Sequence, residues 1–534
     1  MRKGMVAFVL HAHLPFVRHP EREDYLEERW LFEAITECYL PLLKVFEGWQ
    51  RDGVSARFTM TMSPTLMSML ADPLLQERYS KHLSNLTLLG ELEVERTKDD
   101  RTFAPLAHMY RHRFYEAQEK FDKHYQRDLI GAFRRLMEKG TLEIIPCPAT
   151  HGYLPLMRLQ KEAQVAQLAV AVDTYEHYFH REATGIWLSE CAYHPGLEDH
   201  LAEFGISYFL TDAHGILYAT PQPRYGLYAP LRTPSGVAAF GRDIESSRQV
   251  WSREEGYPGD GDYREYYRDI GYDLDFEYVR PFIHPEGLRL HTGFKYHRIT
   301  ERDSNHKEPY VPAWAEAKAA LHAGSFLFNR TKQIEYLNGV MTDREPIIIC
   351  PYDAELFGHW WYEGPLFLDQ IGRQASQVGP TLELVTPSDY LKKHPLIQPS
   401  IPCESSWGAE GYHEVWLEDS NHWLYRHLHR AAERMIRLSQ EKPNSEGLQR
   451  RALNQMAREL LLAQSSDWAF IMKTNTTVQY AVNRSVYHLN NCSLLYQMVT
   501  GKSPLREEIV RELEEVNPVF PRLDYRLYSG YTNK

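Results

Sequence analysis

Cysteine is scarce in this sequence and is not arranged for a covalent or metal framework. The six cysteines (Cys38, Cys147, Cys191, Cys350, Cys403 and Cys492) are scattered through 534 residues, and no two form a C-x-x-C pair. That excludes a zinc ribbon or disulfide scaffold and suits a reducing cytoplasm. No apolar run approaches the roughly 20 residues needed to cross a bilayer. Basic residues are outnumbered: 60 Lys and Arg face 72 Asp and Glu, for a net charge of −12. The basic footprint of a nucleic-acid binder and a polybasic membrane anchor are therefore both missing. There is no internal repeat, no low-complexity tract and no G-x-S-x-G elbow. Gly256-Tyr257-Pro258-Gly259-Asp260-Gly261 is glycine-rich but lacks the strand and helix of a nucleotide fingerprint. The start, Met1 to Leu10, has basic residues and an apolar run but no small-residue cleavage site, so it reads as a first strand and not as a signal peptide.

What is present is size and pattern. The length predicts a large catalytic domain with additions. Aromatic residues are abundant at 13%, with 34 Tyr and 11 Trp, as a well-packed core or a set of sugar-stacking platforms would require. Short apolar runs at Met5–Leu10, Ala56–Met62, Leu142–Pro146, Gly185–Ser189, Ser207–Thr211, Val237–Gly241 and Pro346–Cys350 each end on a polar tip, and most lead into a helical pattern. The tips collect His11, His13, His151, Glu190, Asp212, Arg242, Asp243 and Asp353. Strand, polar tip, helix, repeated about seven times, is the signature of an α/β fold with a parallel sheet. Polar tips on nearly every strand favour a closed or nearly closed barrel with its site at the strand C-termini, over an open doubly wound sheet. Residues 244–300 read as a long irregular insertion, a lid or subdomain. From about Glu418 the strand signals stop, and segments near 421–440, 447–463, 475–499 and 503–516 read as amphipathic helices.

Two tips carry the chemistry. Glu190 lies in Trp187-Leu188-Ser189-Glu190-Cys191-Ala192-Tyr193-His194, and Asp353 precedes Phe357, His359, Trp360 and Trp361. A lone acid at a strand end is ordinarily a helix cap or an ion-pair partner. An acid among aromatics, by contrast, has its pKa raised, which suits a general acid. Glycoside cleavage needs two such carboxyls, one to protonate the leaving oxygen and one to attack or to activate water. His11-Ala12-His13 admits two readings. The pair could serve as zinc ligands completed by Asp243 or Asp353, as in a metal-dependent hydrolase, or the two imidazoles could line a sugar pocket from one face of an extended segment. Trp251, Trp407, Trp416 and Trp468 sit in polar, glycine-containing contexts that suit stacking on glucose faces.

At these residues the chain resembles glycoside hydrolase family 57, and within it the 1,4-α-glucan branching enzymes. The resemblance runs nearly end to end. It includes His11-Ala12-His13-Leu14-Pro15, His151-Gly152-Tyr153-Leu154-Pro155, the Glu190 stretch, Pro351-Tyr352-Asp353-Ala354-Glu355-Leu356-Phe357-Gly358-His359-Trp360-Trp361, and Asp467-Trp468 among the C-terminal helices. It implies an α/β fold built as an incomplete (β/α)7 barrel over residues 1–400. A helical insertion lies around 65–140, a lid around 244–300, and an all-helical C-terminal domain spans 401–534. It implies a retaining mechanism on an α-1,4-glucan with no metal and no cofactor, in the cytoplasm, with Glu190 as nucleophile and Asp353 as general acid/base. His11, His13, His151, Arg242, Trp251, Gly259, Trp407, Trp416 and Asp467 match positions lining the glucan site. One departure is expected to matter. Branching enzymes of this type can carry a long flexible loop with a Tyr beyond the nucleophile strand, whereas residues 214–233 here are compact. A shortened lid makes transfer poor and lets hydrolysis dominate, so an α-amylase-type hydrolase or a 4-α-glucanotransferase of the same family is the alternative expectation.

Overall fold

The computed structural model describes residues 3–23, 25–252, 255–377 and 381–530. Met1 and Arg2, the head of the run read as the first strand, lie outside the described residues. The described residues include ten strands: β1 (Gly4–Ala12), β2 (Phe58–Met62), β3 (Leu142–Ile145), β4 (Gly185–Trp187), β5 (Tyr208–Thr211), β6 (Leu231–Arg232), β7 (Ala238–Gly241), β8 (Ile347–Asp353), β9 (Leu382–Leu384) and β10 (Gln398–Pro399). In one sheet β1 is central, parallel to β2 and β8, and β2 carries β3. In the other, β4, β5 and β7 run parallel. Backbone hydrogen bonds join the sheets on both sides, from Trp187 N–H to the Pro146 carbonyl (3.0 Å) and from Asp243 N–H to the Ile349 carbonyl (2.9 Å). The seven principal apolar runs are all strands. β6 and β10 are additions, as is β9, which pairs with the start of β1.

Alternation along the strands sorts side chains into two layers. Every residue of β1 is buried. Val6, Phe8, Leu10 and Ala12 join the large core beneath the surrounding helices. Met5, Ala7 and Val9 join a separate inner core with Ile145, Trp187, Tyr208, Leu210, Phe240, Ile347 and Ile349. The outer layer is cemented by aromatic pairs such as Phe8 on Phe58, stacked at 4.6 Å.

Helices Pro73–Thr97 and Ala104–Glu119 form the insertion between β2 and β3. The 244–300 segment is less irregular than its composition predicts, since Ile244–Trp251 is an α-helix capped by Asp243, whose carboxylate accepts from Ser246 N–H. Past residue 420 the chain is helical, with Gly447–Ala463 packed against Val478–Val499. One helix there, Ser466–Thr474, falls in a stretch that the sequence leaves unassigned. Among the described residues no helix is long and apolar enough to cross a membrane.

Candidate active site

The alternation that builds the inner core also builds the site. Continuing the inward face of β1 past Val9 gives His11, and continuing β8 past Ile349 gives Asp353; strand register sets these two residues side by side. His11 stacks on Trp187 (4.5 Å, 8°) and hydrogen-bonds Thr61 Oγ1 (2.6 Å) and His151 Nε2 (3.0 Å). His151 also meets Ser466 Oγ (2.8 Å), and its ring lies over that of His13 (4.0 Å, 15°). His13 Nε2 reaches Asp467 at 3.0 Å. Burial, reinforced by neighbouring imidazoles, holds His11 and His151 well below the usual histidine range, so both are neutral. Burial pushes His13 the same way, but the Asp467 carboxylate outweighs it and the net shift is upward. Burial would raise Asp467, yet the His13 pairing holds it down at about 2.

Glu190 sits on a strained turn. Its backbone is left-handed (φ 62°, ψ 26°), as is that of Cys191 (φ 49°). This costs roughly 1–2 kcal/mol for each such non-glycine residue. The segment around residue 405 keeps the turn in place: Tyr193 and Ser405 exchange backbone hydrogen bonds, and Trp407 N–H donates to the Glu190 carbonyl (3.0 Å). Trp407 acts a second time through its indole, donating Nε1–H to Glu190 Oε2 at 2.7 Å. The other oxygen lies 3.8 Å from His151 Nδ1. Burial pushes Glu190 up to about 8; Trp407 opposes this, while Asp353 and Asp467 add to it.

Asp353 arrives on a regular strand. The turn after it docks on a π-helix, Ile35–Tyr39, one extra residue wound into an otherwise α-helical run. Three consecutive side chains of that π-helix grip the turn. Glu37 pairs with His359 (2.6 Å), Cys38 Sγ–H donates to the Ala354 carbonyl (3.0 Å), and the Tyr39 hydroxyl donates to Glu355 (2.5 Å). Gly358, at φ +123°, allows the close fit, because a Cβ there would stand 1.8 Å from the Glu37 carbonyl oxygen. Burial raises Asp353 to about 6 against the pull of His13 and Arg242. It raises Glu355 to about 7, with Tyr39 opposing and Asp353 adding. Three carboxyls thus titrate near neutrality around a set of stacked imidazoles.

His13, His151 and Asp467 offer ligand atoms within 4.8 Å of one another and are the group that could hold a metal among the described residues. Their geometry argues against it. Face-to-face imidazoles carry their lone pairs in parallel planes, whereas a zinc site needs them to converge.

The profile of the Glycosyl hydrolase family 57 matches residues 7–331, the span that carries the imidazoles, Glu190 and Arg242. The chain belongs to glycoside hydrolase family 57. A second profile, 1,4-alpha-glucan branching enzyme, C-terminal, matches residues 427–528. A 1,4-alpha-glucan branching enzyme of Thermococcus kodakarensis is 32% identical, over 97% of this chain and 78% of that one. Among solved structures, the alpha-amylase AmyC of Thermotoga maritima is 45% identical with a TM-score of 0.93, covering 99% of this chain and all of its own. The GH57-type branching enzyme of Pyrococcus horikoshii is 31% identical with a TM-score of 0.88, covering all of this chain and 98% of its own.

Of the expected family-57 site residues, Glu190, Asp353, His11, His13, His151, Asp467, Trp407 and Arg242 come together. Arg242 lies 5.7 Å from the Trp407 ring and 3.8 Å from Asp212. Three others do not join this cluster. Trp416 is 1% exposed and stacked on Tyr153 (4.4 Å), so it backs the wall and presents no face to a sugar. Trp251 ends its helix 40% exposed and makes no ring contact or hydrogen bond to the cluster among the described residues. Gly259 packs under Arg302, whose Nε–H donates to its carbonyl at 2.9 Å. Trp468 is core, with Nε1–H on the Leu462 carbonyl. Asp243 is no partner of His11: it is buried, caps its helix, and accepts from Arg330 (3.1 Å) and Gln333 (2.8 Å). Glu355, Tyr39, Thr61 and Ser466 were missing from the sequence reading. Glu355 stood in a quoted motif; the others give no local signal, because only tertiary contact brings them in.

Proposed function

We propose that the protein is a 1,4-α-glucan branching enzyme working by retention, with Glu190 as nucleophile and Asp353 as general acid/base. The observation that carries this is the asymmetry of two buried carboxyls in a family-57 cleft. Glu190 accepts a hydrogen bond from the Trp407 indole, which favours its anion, while among the described residues no side chain donates to Asp353, whose carboxyl is free to carry the proton to a substrate oxygen. The two titrate as a pair, at about 6 and about 8, so one proton is shared between them at pH 7. Asp353 gives that proton to the glycosidic oxygen as Glu190 attacks the anomeric carbon, and a glucosyl ester forms on Glu190. Asp353, now a base, takes the proton of an incoming 6-hydroxyl, whose oxygen displaces Glu190 and yields an α-1,6 branch with retained configuration. The shared proton predicts a bell-shaped pH profile, falling below about 6 as the pair takes up a second proton and above about 8 as it loses the one it shares.

The stacked imidazoles and Asp467 hold the reacting glucose, with Arg242 and Trp407 on its other side. Around them, the seven parallel strands make an incomplete (β/α)7 barrel over residues 1–400, with the helical insertion at 65–140 and the 244–300 segment above it. Residues 401–530 form a C-terminal domain, helical past residue 420, that reaches the cleft through Asp467. The scattered free cysteines, five of them buried, suit the cytoplasm.

A second reading, α-amylase-type hydrolysis, is favoured by the 214–233 segment. It is tied away from the carboxyls, with Thr220 bridged to Ile401 and both Arg224 and Tyr225 bonded to Asp343. A branching enzyme must keep water from the glucosyl ester until a sugar arrives, and this segment supplies no cover. Incubation with amylose decides between them. New α-1,6 linkages with few reducing ends support branching; reducing ends without branches support hydrolysis.

A further inference from the structure

The two tryptophans after the Asp353 turn have opposite fates. Trp361 is 1% exposed and anchors in the core against Phe367 (4.9 Å). Trp360 is 55% exposed, although an indole left in water forgoes one of the larger burial gains a side chain can make. It is not a stray surface residue. One face stacks on Tyr266 of the 244–300 segment (4.6 Å, 30°), and Tyr267, 74% exposed, meets Tyr266 edge-on (5.1 Å). Polar groups stand beside the rings. His359 Nε2 meets the Tyr266 hydroxyl at 3.2 Å, and a pocket lined by Arg29, Glu33, His291 and His359 opens next to Tyr266. Flat apolar faces flanked by hydrogen-bonding groups are what a pyranose chain binds: ring C–H faces stack, and hydroxyls reach the polar rim.

We propose that Trp360, Tyr266 and Tyr267 form a stacking subsite for α-glucan residues beyond the scissile bond, on the leaving-group side. The side is taken from Asp353: on the reading above it protonates the leaving oxygen, and Trp360 follows it on the same π-helix-locked turn. After cleavage the same side receives the acceptor, so the subsite would hold first the leaving chain and then the incoming one. This inference rests on the α-glucan reading above.

The test compares substrates of different length. The ratio of kcat/KM on amylose to kcat/KM on maltotriose is measured for the wild type, Trp360→Ala, Trp360→Phe and Tyr267→Ala. Losing one stacked ring lowers that ratio about fivefold to tenfold in Trp360→Ala, chiefly through KM on amylose, while Trp360→Phe restores most of it. Tyr267→Ala lowers it by a smaller factor. A ratio unchanged in Trp360→Ala overturns the subsite while leaving the α-glucan reading intact. A wild type inactive on both substrates overturns both. Circular dichroism spectra matching the wild type exclude misfolding as the cause of a fall.

Discussion

Glu190 and Asp353 reach one cleft by different backbone routes. Glu190 stands on two consecutive left-handed residues, clamped from outside by a segment more than 200 positions away that grips both its carbonyl and its carboxylate. Asp353 continues a seven-residue strand with no positive φ, and its support comes from behind, through the π-helix. Glu190, the proposed nucleophile, is thus held in a strained pose with a donor on its carboxylate. Asp353, the proposed acid/base, is held by packing, and among the described residues its carboxyl has no side-chain hydrogen bond. The two environments suit the proposed roles: one group is aimed with a donor on its carboxylate, while the other has to give up one proton and regain one in each turnover.

That difference can be attacked from either end. Removing the proposed nucleophile should have the largest effect. Glu190→Gln should lower kcat/KM by about 10⁴-fold or more on every substrate. Asp353→Asn should lose about 10³-fold on amylose but far less on an α-glucosyl fluoride, whose leaving group needs no proton. Equal losses on both substrates would break the assigned division of labour. Trp407→Phe keeps a ring and deletes the indole donor. It should cost roughly 10- to 100-fold and move the acidic limb of the pH profile to higher pH, because Glu190 then protonates more easily. Glu37→Gln loosens the Asp353 turn from behind. It should lower kcat about 5- to 10-fold with the acidic limb unmoved.

The smallest effect is on stability. A carboxyl held up at about 8 destabilises the fold as pH climbs from its unfolded value of 4.5 towards 8. Glu190→Gln should therefore raise stability at pH 7.5 by on the order of 1–3 kcal/mol. It should do so little at pH 4.5, where the native carboxyl is already neutral. Thermal melts at the two pH values check the sign.

The strands were legible because continuous apolar runs ending in polar tips have few other meanings, and parity then carries Val9 to His11 and Ile349 to Asp353. The π-helix was not legible, because a single extra residue leaves helical periodicity almost undisturbed and the reason for it lies in Glu355 and His359, over 300 positions away. Trp416 was misjudged for a related reason. Its polar, glycine-containing neighbours describe a loop, but Tyr153, from a distant part of the chain, covers its face. Trp407 stands in a similar context and does reach the carboxylate, so local composition alone does not separate the two.

The most direct test of the central claim is to trap the glucosyl ester. Wild-type protein treated with a 5-fluoro-α-D-glucosyl fluoride, then digested and analysed by mass spectrometry, should carry one fluoroglucosyl adduct on the peptide containing Glu190, at that residue. An adduct on Asp353, Glu355 or any other side chain, or turnover without an adduct and with inverted anomeric configuration, would contradict the assignment.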